Sequence, residues 1–332
     1  MRKIILLVFF SWACKPKVEH QISGAFYHWK TQFRPTDFEK KFLEGTEKIY
    51  VKFFDLDLEN GFLMPKAVVN FKSSTNQEIV PTIYIVNKVF RDTNPTIIAD
   101  YLKKSTTLLQ HIINANRLSI KEIQIDCDWT KQTKLPYFHF LRLLKKQFPD
   151  KLISTTIRLH QVKFQSITGV PPVDKGMLMC YNMADWKNEK TVNSIYNPKV
   201  LEQYADQIPD YPLDLDLAMP IFRWSIVYRN GIFLTFINHL DVGKLKQIAF
   251  LKEKRNSIFE VEKDSSAFGI YFKKNDVIRA ENVDFETLKS GTKYVISQIK
   301  NKKICLSFYH LDSLSLNPYS YEKLRSLFAS PQ

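Results

Sequence analysis

Glycine is scarce in this chain, at 9 of 332 residues. Neither a GxGxxG nor a GxxxxGK[ST] pattern occurs. A phosphate-cradling loop needs such glycines so that backbone N–H groups can close on the anion, and their absence argues against nucleotide chemistry. Cysteine is rarer still, at 4, with no Cys-x-x-Cys or mixed His/Cys ligand spacing. A zinc site therefore has no support, and no metal or other cofactor is expected. Cys127, Cys180 and Cys305 each fall inside an expected strand and read as small buried residues. No Gly-x-Ser-x-Gly elbow is present, so acyl transfer lacks support too. Internal repeats and low-complexity tracts are also absent.

Basic residues outnumber acidic ones, 48 to 34, for a formal charge of +14. No long basic tract accompanies that excess. The lysines are dispersed, in pairs such as Lys103-Lys104, Lys145-Lys146, Lys273-Lys274 and Lys302-Lys303, which reads as a solvated surface. Nucleic-acid binding would need clustered basic residues with exposed aromatics, and is not expected. What the chain has in quantity is apolar and aromatic material: 45% hydrophobic residues, with 25 Phe, 15 Tyr and 5 Trp. That is enough for one large core or two small ones.

The first residues read as an export signal. Arg2 and Lys3 precede the apolar run Ile4 to Phe10, and Ser-Trp-Ala-Cys follows at 11–14. The run is far too short to span a bilayer as a mature helix. The Ala13-Cys14 junction resembles a bacterial lipoprotein signal, with Cys14 as the lipidated first residue, although Ser11 replaces the usual Leu. The expected organisation is a signal over 1–13, a tether over 14–20 and a folded body over 21–330. Acyl chains on Cys14 would then be its only membrane contact, in the bacterial cell envelope.

Eight strand-like runs stand out in the body: Ile22 to Trp29, Lys48 to Phe54, Ile79 to Val86, Ile120 to Asp126, Leu152 to Leu159, Met177 to Tyr181, Leu213 to Met219 and Ile304 to Tyr309. Amphipathic segments lie between them, clearest at Pro95 to Ile113 and Pro136 to Phe148 and weaker at Phe38 to Leu43, Pro198 to Asp206, Val242 to Lys252 and Phe285 to Ile299. Alternating strands and helices imply parallel pairing, so the spacing predicts an α/β fold, a single (β/α)8 TIM barrel. About 85 residues separate the seventh and eighth strands. This long insertion is expected as a loop elaboration at about 228–280 over the barrel mouth. Within it, Ala267 to Phe272 and Asp276 to Ala280 suggest a hairpin about Lys273 to Asn275.

The run IQIDCDWT, Ile123 to Thr130, carries most of the functional information. Ile123, Ile125, Cys127 and Trp129 alternate with Gln124, Asp126, Asp128 and Thr130, the period of a strand with one polar face. Asp126 and Asp128 lie at its C-terminal end, where parallel barrels build their chemistry. Two acids that close can push their pKa values apart, as acid/base catalysis requires. The other strand ends supply Tyr27, His28 and Trp29 from the first, Asp55 and Asp57 from the second, and Tyr84 and Asn87 from the third. Trp129 follows the fourth, Arg158 and His160 come from the fifth, Tyr181, Asn182 and Asp185 from the sixth, Arg223 and Trp224 from the seventh, and Tyr309 and His310 from the eighth. Aromatic rings stack on sugar faces while acids and amides take hydroxyls, so a rim of this kind suits a carbohydrate ligand.

These motifs resemble glycoside hydrolase family 18, the chitinase-type barrels. IQIDCDWT is similar to that family's fourth-strand signature. MLMCYNMADW, Met177 to Trp186, resembles its sixth-strand Met-x-Tyr-Asp/Asn motif, and LAMPIFRWS, Leu217 to Ser225, its seventh-strand Pro-Phe-Tyr-Gly-Arg motif. The resemblance spans roughly Ile22 to Leu311 and points to a group of bacterial chitinase-like barrel lipoproteins. It implies that Asp128 orients a substrate acetamido group, with Asp126 beside it and Tyr181 holding that group. One departure matters. The family's motif ends in a glutamate, the general acid, and that position here is Thr130. A hydroxyl cannot donate a proton near neutral pH, so the substrate-assisted mechanism is incomplete.

Two readings stay open. In one, the protein is a lipid-anchored glycosidase with Asp128 as acid and Asp126 as electrostatic partner, Asp55 or Asp185 completing the pair. Carboxyl separation, about 5 Å or roughly 6.5–9.5 Å, would then set retention or inversion. In the other, it is a glycan-binding lipoprotein without turnover.

Overall fold

The structure is a computed structural model that describes residues 19–328. The expected signal and Cys14 lie outside the described residues. Eight parallel strands close into a barrel: β1 (Gln21–His28), β2 (Lys48–Glu59), β3 (Glu78–Ile85), β4 (Glu122–Asp126), β5 (Leu152–Arg158), β6 (Lys175–Met179), β7 (Leu215–Pro220) and β8 (Lys303–Tyr309). They pair in chain order, and β8 and β2 both pair with β1, so no barrel edge stays open. Each lies where the period-2 pattern predicts a strand. Helices Pro95–Ala115, Lys134–Gln147, Pro198–Ala205 and Phe285–Gln298 pack outside. Asn94 caps the first of these by accepting from the Ile97 N–H, with Pro95 in the first turn where its missing N–H costs nothing. The β5–β6 connection holds only two short helices, Leu159–Lys163 and Gln165–Thr168.

Strand alternation explains how the barrel is filled. On β4, Ile123 and Ile125 face the helices, while Glu122, Gln124 and Asp126 point inward at three successive heights. At the floor, Glu122 accepts from Lys48 at 2.7 Å and lies 3.3 Å from Lys175, which also contacts Asp216 at 2.5 Å. Midway, the Tyr27 hydroxyl donates to Gln124 Oε1 at 2.7 Å. At the top, the Thr156 hydroxyl donates to Asp126 Oδ1 at 2.6 Å. Buried charge is tolerable only when paired in this way. The interior is therefore polar as well as packed, and the uppermost layer opens into the site.

Between β7 and β8 the chain builds a second sheet instead of a loop. Its order is Ile232–Asn238, Trp224–Arg229, Val277–Glu281, Ile258–Val261 and Leu251–Arg255, all antiparallel. Val227, Leu240, Leu245, Phe259, Val261, Phe272, Ile278 and Ala280 form an apolar cluster of its own. The hairpin expected about Lys273 to Asn275 is not formed. Ser265–Ala267 pairs with Ile270–Phe272 instead, and Val277–Glu281 goes to the centre of the larger sheet. Turn chemistry decides this: Phe268 and Gly269 take φ of 53° and 73°, the left-handed pair that a two-residue hairpin turn needs. The segment expected as a helix through Val242 to Lys252 is helical only over Val242–Lys246, then turns into the edge strand.

Candidate functional site

A cavity of about 350 Å³ opens at the C-terminal ends of the barrel strands, within the roughly 300–1,000 Å³ usual for small-ligand sites. Trp29, Asp126, Asp128, Arg158, Tyr181, Asn182, Arg223, Trp224 and His310 all line it, from β1, β4, β5, β6, β7 and β8 or the turns that follow them. With Tyr84 and Tyr309, eleven residues singled out from the sequence thus share one cavity.

The two aspartates occupy different environments. Asp126 is buried at the cavity floor, and its pKa is raised from 3.8 to about 6. Burial is the main cause and the neighbouring Asp128 charge the second; the Thr156 hydrogen bond and the Arg158 charge oppose them. Asp128 stands further out and accepts two hydrogen bonds from Arg158, from Nε at 2.7 Å and Nη2 at 3.2 Å. This fork on a carboxylate fixes both side chains. The Arg158 guanidinium also lies 5.8 Å from the Tyr181 ring centroid. Asp126 and Asp128 raise the Tyr84 hydroxyl after burial has done so, to about 12. Tyr84 is a hydrogen-bond donor at neutral pH.

Aromatic rings continue from the floor onto the insertion sheet. Tyr181 stacks on Tyr309 at 5.1 Å, Tyr309 meets Phe222 at 5.7 Å, and Phe222 meets Trp224 at 5.2 Å. Beyond the cavity Trp224 packs on Phe236 at 4.6 Å, and Phe236 on Trp186 at 5.0 Å. The Trp224 indole N–H donates to Glu281 at 2.8 Å, and the same oxygen accepts from Ser194 at 2.6 Å. Glu281 thereby ties the loop after β6 to the insertion sheet and fixes the Trp224 ring at the rim.

The structure does not bring the other expected residues into the cavity. Tyr27 lies one layer below, stacked on Tyr50 at 4.9 Å. His28 is buried against the Phe33 ring, and its pKa falls to about 4 because burial, and then the Lys30 charge, disfavours the imidazolium. Asp55 pairs with Lys52 at 3.0 Å, whose ammonium sits 5.7 Å from the Trp29 ring, so it supports the rim indirectly. Trp129 packs under the helix Lys134–Gln147, stacked on Tyr137 at 5.5 Å, with its indole N–H donating to the Thr168 carbonyl. Asp185 is exposed and accepts from the Lys187 N–H. Thr130 is not among the lining residues. Its N–H donates to the Thr133 hydroxyl at 2.9 Å, and its own hydroxyl lies 3.3 Å from the same atom, ahead of the helix that starts at Lys134.

Met179, Phe222, Asn238 and His239 line the cavity without having been singled out individually. Asn238 and His239 arrive from the insertion, because Asn238 pairs with Trp224 across the sheet and the His239 N–H donates to the Arg223 carbonyl. Among the described residues, no group of three or more His, Cys, Asp or Glu is placed to hold a metal ion. Cys127, Cys180 and Cys305 are buried and unbridged.

An eight-stranded parallel barrel with acids at the end of its fourth strand, an aromatic cleft and an antiparallel sheet before the eighth strand resembles the chitinase-type barrels, and comparison with solved structures bears this out. A chitinase from Chromobacterium violaceum superposes with a TM-score of 0.55 at 10% identity, over 93% of this chain and 99% of that one. The spore cortex-lytic enzyme SleL of Bacillus cereus gives 0.52 at 12% identity, over 93% of this chain and 74% of that one. SleL of Bacillus megaterium gives 0.52 at 14%, over 94% and 74%. No protein-family model matches the chain, nor does any curated protein. The likeness is one of fold, in a strongly diverged sequence.

Proposed function

We propose that this protein is an exported, lipid-anchored barrel that binds a glycan in the cleft above β4, without the chitinase route of hydrolysis. One observation carries the second half of the reading. The position where the family places its general acid holds Thr130, which engages Thr133 and does not line the cavity. Asp128 does not replace it, because both hydrogen bonds from Arg158 make it an acceptor. The chitinase names of the structural neighbours, and the polar cavity with aromatic walls, support a carbohydrate as the occupant. The charged start and the Ala13-Cys14 junction support lipidation at Cys14 and a place in the bacterial cell envelope.

A glycan array tests the binding. The wild type should retain at least one glycan, and Trp224→Ala should weaken it at least tenfold by removing a rim ring. No retained glycan across a broad array would end the proposal. Cys14→Ala with cell fractionation tests the anchor: the variant should leave the membrane fraction and lose labelling by a fatty-acid analogue. A second reading rests on Asp126. A buried carboxyl held at about 6 is the kind of group that can give a proton near neutral pH. In that case slow cleavage would depend on Asp126 and need no N-acetyl group on the sugar.

A further inference from the structure

We infer that the glycan is acidic and that Arg223 holds its carboxylate. This rests on the glycan-binding reading above and names the class of sugar. Arg223 follows β7 directly and is 6% exposed. Among the described residues its guanidinium makes no hydrogen bond, and Nε and Nη1 are fully enclosed without a partner. The nearest carboxylate, Asp241, lies 3.5 Å from Nε, a charge neighbour without hydrogen-bond geometry. Two arginines buried or half-buried in the insertion, Arg279 and Arg229, have their partners. Arg279 donates to Glu281 at 2.7 Å and to the carbonyls of Asn188 and Glu189 at 2.7 and 2.9 Å. Arg229 forks onto Asp276 at 2.9 and 2.8 Å. A buried guanidinium with unmet donors on a cavity wall is an exception to how proteins satisfy such groups, and a ligand acceptor resolves it.

The rest of the wall points the same way. Tyr181 Oη, His239 Nδ1 and His310 Nδ1 are also buried without partners, and all three residues line the cavity. The two carboxylates on that wall are engaged, Asp126 by Thr156 and Asp128 by Arg158. Arg223 and the Tyr181 hydroxyl have protons to give, the two imidazole nitrogens give or accept according to tautomer, and Asp126 and Asp128 already accept from protein donors, so the wall asks the ligand for accepting oxygens. A hydroxyl meets one N–H at a time. A planar carboxylate meets two N–H groups of a guanidinium in parallel, which is the geometry Arg is suited to and Lys is not. The formal charge of +14 favours encounter with a polyanion as well.

The experiment is calorimetric titration of the protein with oligosaccharides from polygalacturonate, alginate, hyaluronan and peptidoglycan strands. Each is used native and after reduction of its carboxylates to alcohols, beside neutral chito-oligosaccharides. At least one acidic oligosaccharide should bind, and reduction should weaken it at least tenfold. Arg223→Gln should cause a similar loss for the native sugar and little change for the reduced one, with Arg223→Lys intermediate. The Tm of unliganded Arg223→Gln should stay close to the wild type, because the guanidinium has no hydrogen bond to lose and its ion pair with the part-exposed Asp241 is long, at 3.5 Å; a structural arginine would lower it. If Arg223→Gln does not fold, the reduction arm decides alone. Tightest binding to a neutral glycan, or acidic binding indifferent to reduction, overturns the inference and leaves the glycan-binding reading standing. Binding to none of these sugars overturns that reading and the inference with it.

Discussion

Asp126→Asn isolates what the buried carboxyl at the cavity floor does to the fold. Its pKa is raised from 3.8 to about 6, by burial first and the Asp128 charge second. A carboxyl raised in this way binds its proton more tightly in the folded chain than in the unfolded one. With respect to this group, stability is therefore greatest below the unfolded value of 3.8 and falls as pH rises towards about 6. The gap corresponds to about 3 kcal/mol, fully lost by neutral pH. Asparagine keeps the shape, removes the charge and still offers Oδ1 to the Thr156 hydroxyl, which now donates at 2.6 Å. Urea unfolding of wild type and variant at pH 4 and pH 7.5 is the assay. The variant should be more stable than wild type by up to about 3 kcal/mol at the higher pH, and nearly equal at the lower. Destabilisation by the variant that is larger at pH 7.5 than at pH 4 would show that attraction to Arg158 outweighs burial, and the reasoning would fail.

Three further outcomes follow from the same geometry. Arg158→Met should change stability by less than about 1 kcal/mol, because the Asp128 side chain it releases is 50% exposed and rehydrates; it should also raise the Asp126 pKa by removing a charge that lowers it, which carboxyl 13C NMR can follow. Thr130→Glu should yield no chito-oligosaccharide hydrolysis above background, since position 130 is absent from the cavity lining; turnover at a chitinase rate would contradict the placement. Gly291→Ala should destabilise the barrel by about 1–3 kcal/mol in thermal or urea unfolding, because a Cβ there would lie 1.6 Å from the Tyr196 hydroxyl of a buried ring.

The barrel was legible because its strands alternate strictly and helical runs separate them. The β4 segment even encodes its three inward heights, Glu122, Gln124 and Asp126, at every second residue. The same parity places Trp129 with Ile123, Ile125 and Cys127 on the outward face, so its burial against Tyr137 was also readable; its position beside the acids obscured that. His28 and Asp185 followed a nearness in sequence that the turns do not convert into a shared cavity. The insertion was harder. Its strands are short, and Val277–Glu281 pairs with Trp224–Arg229, whose partner lies some fifty residues earlier, so no local pattern announces the register. Asn238 and His239 reach the site only through that pairing and carry no signal in their own neighbourhood. The unmet donors of Arg223 are likewise a property of packing, since sequence shows an arginine but not whether anything satisfies it.

The most direct test of the central claim is to follow a bound glycan for chemistry. A glycan retained by the wild type would be held with stoichiometric protein for a day, binding confirmed by tryptophan fluorescence from the Trp224 rim, and the sugar then recovered for mass spectrometry. The account predicts quenching or a shift on binding and an intact glycan afterwards, in wild type and Asp128→Asn alike. Cleavage that requires an N-acetyl group on the sugar and disappears in Asp128→Asn would contradict it, since chitinase-type chemistry would then run without a carboxyl at position 130.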